Sequence, residues 1–297
     1  MFFSIIPFSH SIGVQPLIYS GGDRAMDDLR VWQIIEIPYG KSIENGIIAA
    51  IHIDSPIDIT SESYTRIKPI HQTITSSILL AQYQLEMISE MSKRYMIPIH
   101  RVLAIFLTRP ILSRLERKNY AQIVPDTSRP TPQKTQKPTH SIQIVQDYIV
   151  TPILVETYTK KWPTIVILPD DYAMMPYREM HIDRRDILFV PNEMTDTRRA
   201  QAWIDITNGV FPIIYWTRKI LYYNLSAYQH IIYIEDALGP DYWHYPIRID
   251  YADILYIFAQ SNPHIGLTIL TSVPTLRTLT HFRYFRIENI TGESTIS

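Results

Sequence analysis

Cysteine is absent from this 297-residue chain, which removes disulfides, thiolate nucleophiles and cysteine-ligated zinc together. That absence fits a cytoplasmic setting. Glycine is scarce, with 9 residues, about 3% against a usual ~7%. No GxGxxG or GxxxxGK-Ser/Thr spacing occurs, so the glycine-bearing loop that lets backbone amides approach a phosphate is missing. No apolar run approaches the ~18 uninterrupted residues of a membrane span. The opening MFFSIIPFSHS lacks the basic leader and small-residue cleavage site of a signal peptide, and is expected to be a first strand. An excess of one charge is also lacking. The formal net charge is −1, so any binding to nucleic acid must rely on local patches and not on a global basic field. The 10 histidines show no HxxxH or HExxH spacing, and no GxSxG elbow is present, which excludes the usual zinc-hydrolase and serine-triad patterns.

What is present is a chain able to bury a core. It is 46% hydrophobic and 19% charged, and its length predicts about two domains of roughly 100–200 residues each. Short β-prone runs at Phe2–Ile6, Val31–Ile37, Ile47–Ile53 and Tyr64–Ile70 predict a small β-domain, with turn chemistry at Tyr39-Gly40-Lys41. Ile78, Ala81, Leu85, Ile88, Met91 and Tyr95 recur at steps of three and four. That spacing predicts an amphipathic helix capped by Ser76 or Ser77, followed by a short helix from His100 to about Phe106. Between Asp126 and Thr139 the chain reads DTSRPTPQKTQKPT, with nothing large and apolar, and cannot offset its own ordering entropy. The expected organisation is therefore a domain over 1–120, a linker over 121–140 and a second domain over 141–297.

In the second domain, β-like runs at 142–146, 164–169, 187–191, 212–216, 230–235 and 267–272 alternate with helix-like stretches, the pattern of a mainly parallel α/β sheet. Asp196 and Asp250 are the expected caps of two of the helices, and Asn208-Gly209 is the expected stop of the first. Several strands end in polar residues: Thr217-Arg218, Glu235-Asp236 and Thr271-Ser272-Val273-Pro274-Thr275. Sites in such sheets lie at the carboxyl ends of the strands. Taken alone, Glu235-Asp236 predicts a solvated carboxylate pair, Asp170-Asp171 a helix cap, Arg198-Arg199 solvated helix charges, and Trp216, Tyr222, Tyr223, Tyr242, Trp243 and Tyr245 core aromatics.

These residues, taken in order, resemble the PriA-type replication-restart helicases (primosomal protein N′). QIIEIPYGKSIENGIIAAI (33–51) is similar to that family's hydrophobic strand, Pro-Phe-Gly turn and Gly-Ile-Val strand. Arg66 to Ile70 is similar to the Leu-Lys-x-Ile segment, and Ser92-Lys93-Arg94-Tyr95 with His100 to Leu103 resembles the helix that follows. Further on, Thr164 to Met180 resembles the strand and helix after the nucleotide loop, Thr217-Arg218 the Gly-Thr-Arg-Ser motif, Glu235-Asp236-Ala237-Leu238 the Asp-Glu-Glu-His motif, and Thr271 to Thr275 the Ser-Ala-Thr-Pro-Ser motif. The resemblance implies α/β plus a β-rich domain: a 3′-end DNA-binding domain followed by a RecA-like helicase lobe. It implies DNA contacts at Gly40, Lys68, Thr217 and Arg218, with forked or junction DNA and primosome proteins as partners and no membrane.

The departures from the family bear on chemistry. Tyr148 to Leu154 stands where the nucleotide loop belongs and holds no glycine or lysine, so the loop is expected to offer neither amide access nor a phosphate-binding charge. Gln15, Pro16 and Leu17 stand where the family has the Phe-Asp-Tyr of its 3′-end pocket. Glu235 and Asp236 are followed by Ala237, and a second motor lobe, winged helix and zinc module are not expected. The reading is a catalytically inert, DNA-binding relative of the restart helicase, with no cofactor and no metal. Two other readings stay open at this point: a protein-interaction scaffold without DNA binding, and an ATPase with a remodelled site.

Overall fold

The computed structural model describes residues 1–8, 16–21, 29–53, 67–75, 78–108, 110–113, 139–145, 150–235, 242–243 and 249–290. The chain divides into two compact units, Met1–Val124 and Pro125–Ser297. Ser76, Ser77, residues 121–138 and Asp236 lie outside the described residues, and so do the side chains of Tyr242 and Trp243.

The first unit is built on a five-stranded sheet. Strands β1 (Phe2–Pro7), β2 (Leu17–Ser20), β3 (Ile34–Tyr39), β4 (Ser42–His52) and β5 (Gln72–Thr73) pair antiparallel in the order β2-β1-β4-β3-β5. Phe3, Ile5, Tyr19, Ile35, Ile37, Ile48 and Ile70 form one core on one face. Ile34 and Ile47, opposite one another across β3 and β4, are buried on the other. The pairing of β1 with β4 shifts register between Ser4 and Ile5. A Cβ at the neighbouring Gly46 would lie 2.6 Å from the Ile5 side chain, so the packed bulge requires glycine there.

Several expected boundaries move, and β4 starts at Ser42, five residues before the expected Ile47. β3 starts at Ile34 and not Val31, because Trp32 sits in a turn with φ +74° while its amide donates to the Ile48 carbonyl at 2.7 Å. The expected strand at 64–70 falls partly outside the described residues. Its described end makes an isolated bridge, Pro69 opposite Ser20, since proline has no N–H to extend a ladder.

Helix α1 (Gln82–Arg94) buries Leu85, Met87, Ile88 and Met91, and α2 (Ile99–Phe106) follows it directly. Its start is later than the spacing predicts. The Gln84 side chain accepts the Ala81 amide at 2.9 Å, satisfying one of the donors that a helix start leaves open.

The second unit is a seven-stranded, wholly parallel sheet in the order β14-β6-β13-β10-β7-β9-β8. Its strands are β6 (His140–Val145), β7 (Thr164–Ile167), β8 (Ile187–Val190), β9 (Ile213–Trp216), β10 (His230–Ile234), β13 (Gly266–Thr271) and β14 (Arg286–Ile290); β11 (Tyr242–Trp243) and β12 (Ile249–Asp250) form a separate small hairpin. The helices are α3 (Val150–Thr159), α4 (Met175–Met180), α5 (Asp196–Thr207), α6 (Tyr251–Ser261) and α7 (Leu276–His281). Val145, Leu154, Val155, Val166, Leu168, Met174, Tyr177, Tyr215, Ile232 and Leu270 pack into one core beneath α3 and α4. On the other face, Tyr233 of β10 meets Tyr251 of α6 with centroids 5.2 Å apart. Alternation of parallel strands with helices, with β6 inside the sheet and its sequence neighbour β7 three places away, makes this an α/β lobe of the RecA-like kind.

Two local expectations are corrected. Residues 150–154 belong to helix α3 and not to a loop. Pro152 is tolerated because the first helical turn has amides without intrahelical partners in any case. Thr195, not Asp196, caps α5, accepting the Arg198 amide at 3.4 Å. Asp250 caps α6 as expected, accepting from Ala252 at 2.9 Å, and Gly209 ends α5 with φ +60°.

Candidate nucleic-acid interface

In the first unit the β3–β4 hairpin closes on two residues, Gly40 and Lys41. Gly40 has φ +60°, as the first central position of a II′ hairpin turn requires, and open space surrounds its Cα. Lys68, 28 residues away, donates from Nζ to the Gly40 carbonyl at 3.1 Å. Sheet register explains the meeting. The 67–73 segment lies along two neighbours: Ser20 donates to the Lys68 carbonyl at 3.1 Å and His71 donates to Glu36 at 2.9 Å. Tyr19, beneath the tip, donates its hydroxyl to Pro38 at 3.1 Å, and burial raises its pKa, helped by Tyr39 and Glu44. The result is an exposed cation held beside an exposed glycine turn, with Nζ protons remaining after the one given to Gly40. Leu17, next to the exposed Pro16, packs on the sheet's core, and Gln15 lies outside the described residues.

In the second unit three neighbouring strand ends are tied together. Asp171, beyond β7, accepts the Asn192 amide with both carboxylate oxygens at 3.0 Å. Asn192, beyond β8, accepts the Thr217 hydroxyl at 2.6 Å. Thr217 follows β9 directly and is 4% exposed, so its hydroxyl points inward, to Asn192. A short 3-10 turn, Arg218–Tyr222, follows. Arg218 is half-buried with its guanidinium 5.8 Å from the centre of the Tyr251 ring. Lys219, on the same turn, has its pKa lowered by burial and then by Arg199, with Asp171 opposing. Arg199 is thus not simply a solvated helix charge: it also donates to the Met194 carbonyl at 3.4 Å and pairs with Asp196 at 3.5 Å.

Glu235 is not solvated either. At 8% exposure it follows β10 directly, and its Oε1 accepts the Thr275 hydroxyl at 3.0 Å and the Thr278 hydroxyl in a shorter bond, while Oε2 is buried without a partner. Thr275 caps α7, so the carboxylate ties β10 to that cap. Trp216, Tyr222 and Tyr223 are core residues, as expected.

Composition did not point to Asn192 or Thr278, and Thr275 stood out only as the end of the polar run after β13. The available signal was positional: Asn192 and Thr275 follow strand ends of a parallel sheet, and Thr278 lies in the first turn of the helix that Thr275 caps. The structure brings Gly40 and Lys68 together, and separately Thr217 and Arg218; the two pairs belong to different units. Among the described residues no group of three or more His, Asp or Glu side chains could hold a metal ion, and no helix is long and apolar enough to cross a membrane. The β6–α3 connection and the start of α3 contain no glycine or lysine, and Glu235 has one oxygen already committed to two hydroxyls.

Residues 14–108 match the family model of the PriA 3′DNA-binding domain, 3′BD, which covers less than half of the chain. That segment includes the hairpin of Gly40, Lys68 and helices α1 and α2. No curated protein matches the chain. Among solved structures, the Hef helicase domain of Pyrococcus furiosus is similar at 12% identity with a TM-score of 0.39, over 53% of this chain and 36% of that one. The front of the chain is thus PriA-like.

Proposed function

We propose that this protein binds forked or junction DNA through the sugar–phosphate backbone and acts in replication restart as a PriA-like factor without helicase catalysis. The observation that carries this reading is the Lys68–Gly40 contact at 3.1 Å, inside the segment that matches a 3′ DNA-binding domain. A mobile ammonium beside an exposed glycine turn suits a phosphate or strand end, and it has no means of reading base edges. Arg218 is the contact proposed for the second unit, with Thr217 supporting its turn. The inactivity rests on residue chemistry. A helix running from Val150 without glycine or lysine, and a Glu235 carboxylate engaged by two threonines, supply neither the amide cradle nor the metal seat that phosphoryl chemistry uses.

The test is a paired titration of the full chain with fluorescent forked DNA, matched duplex and a fluorescent ATP analogue. Fork binding should exceed duplex binding and fall steeply with salt, while the analogue should not saturate at micromolar concentration. Lys68→Ala should lower the log–log salt slope by about one unit. Equal binding of fork and duplex, or an unchanged slope in that variant, would overturn the DNA reading. Micromolar analogue binding lost in Glu235→Ala would overturn the inactivity.

A further inference from the structure

We propose that Asn192, anchored by Asp171, is a positioning residue for DNA: it fixes the Thr217–Arg218 turn so that Arg218 meets a phosphate. This rests on the reading above that Arg218 is a backbone contact. The three residues come from separate strand ends, β7, β8 and β9, which are adjacent in the sheet. Asp171 spends both carboxylate oxygens on one backbone amide, that of Asn192. This fixes the start of the β8–α5 loop and orders its anionic charge against an N–H donor. The Asn192 side chain then turns to Thr217 and takes its hydroxyl proton at 2.6 Å.

A buried hydroxyl already donating cannot donate to a ligand as well. Its effect is therefore on the backbone that follows, where Arg218 and Lys219 begin the 3-10 turn. Without the Asn192 acceptor the Thr217 hydroxyl loses this anchor, and the turn, still closed by the Ile220 amide on the Thr217 carbonyl at 3.3 Å, is less firmly fixed just before Arg218. An arginine contact to phosphate depends on such preorganisation, because its planar fork must arrive aligned.

The experiment measures the salt dependence of fork DNA binding for the full-length chain carrying Asn192→Ala, Thr217→Val, Thr217→Ser, Arg218→Ala or the Asn192→Ala/Arg218→Ala pair, with thermal melting alongside. The log–log slope does not depend on what fraction of the protein is folded, so it separates positioning from simple loss of stability. Asn192→Ala and Thr217→Val should each lower the slope by about one unit, and Thr217→Ser, which keeps the hydroxyl, should hold it at the wild-type value. The double variant should match Arg218→Ala alone, because both changes remove the same contact. If Arg218→Ala lowers the slope while Asn192→Ala and Thr217→Val leave it unchanged, the positioning role is overturned. If Arg218→Ala itself leaves the slope unchanged, the underlying DNA contact fails instead. Should Asn192→Ala not fold, the Thr217→Val and Thr217→Ser pair decides the question by the same readout.

Discussion

At the residue scale, the chain shows where backbone geometry was favoured over side-chain preference. Met96 follows α1 with φ +52° and is 93% exposed, the left-handed position after a helix that favours glycine. Its amide donates to the Lys93 carbonyl at 3.4 Å, so the backbone holds the conformation without help from the side chain. Met96→Gly should therefore stabilise the first unit by about 0.5–1 kcal/mol, read as a higher urea midpoint; a lower midpoint would show that the side chain contributes packing. Gly46 is the opposite case. A methyl there would meet Ile5 at 2.6 Å and Ile37 at 3.3 Å, both core side chains, so Gly46→Ala should cost about 1–3 kcal/mol. Circular-dichroism melting would check it, and an unchanged melt would mean that the β1 bulge relaxes freely.

At the scale of elements, α7 depends on a carboxylate from another strand. Glu235 accepts hydroxyls from Thr275 and Thr278, Arg277 pairs with Asp250, and His281 pairs with Asp253 of α6 at 2.6 Å. Six residues cannot hold a helix by propensity; these anchors do. Glu235→Ala leaves the buried Thr278 hydroxyl short of its acceptor, while Thr275 can still donate to Thr278 at 3.0 Å, and should destabilise the second unit by about 1–3 kcal/mol, with Glu235→Gln milder because it keeps a carbonyl. An effect of Glu235→Ala within about 0.3 kcal/mol by urea unfolding would contradict the clamp. The same elements show what the sequence made legible. The central parallel strands are continuous apolar runs such as HIIYI and IIYW, buried on both faces, and they announce themselves. β14, RIENI, is a polar edge strand, and α7 has no apolar stripe, so neither carries a periodic signal. α3 was masked by Pro152 and β-branched neighbours, which mark a loop unless they fall in a first turn. Gly40 and Lys68 were visible as residue types, but their contact across 28 positions follows from strand register, which no local spacing encodes. Asn192 was invisible for the same reason.

At the scale of the whole molecule, the distribution of buried histidine sets a pH limit on folding. His230, at the start of β10, is 3% exposed, packs against the rings of both Tyr158 and Trp162 with centroids at 4.9 and 5.3 Å in a three-ring cluster, and places Nε2 3.0 Å from the Thr268 hydroxyl. Gly266 backs onto it so closely that a Cβ would fall 2.5 Å from Nδ1. Burial, and then the charge of His140, push its pKa down to about 4; burial lowers His140 and His100 as well, and lowers His181 together with Arg184. A histidine whose folded pKa is depressed contributes stability in full above its unfolded pKa, about 6.5, and loses it as pH falls toward the folded value, because the unfolded chain takes the proton first. His230 alone should then cost about 2 kcal/mol at about pH 5, approaching about 3 kcal/mol near pH 4. The urea midpoint should be level above about pH 7.5 and drop steadily through this window. His230→Phe keeps an aromatic ring in the stack and removes the proton site, while Thr268 retains Ser141 at 3.3 Å. That variant should lose some stability at neutral pH but show a visibly flatter acid slope. An acid slope as steep as wild type in His230→Phe would mean that the other buried histidines, and not this one, govern the loss.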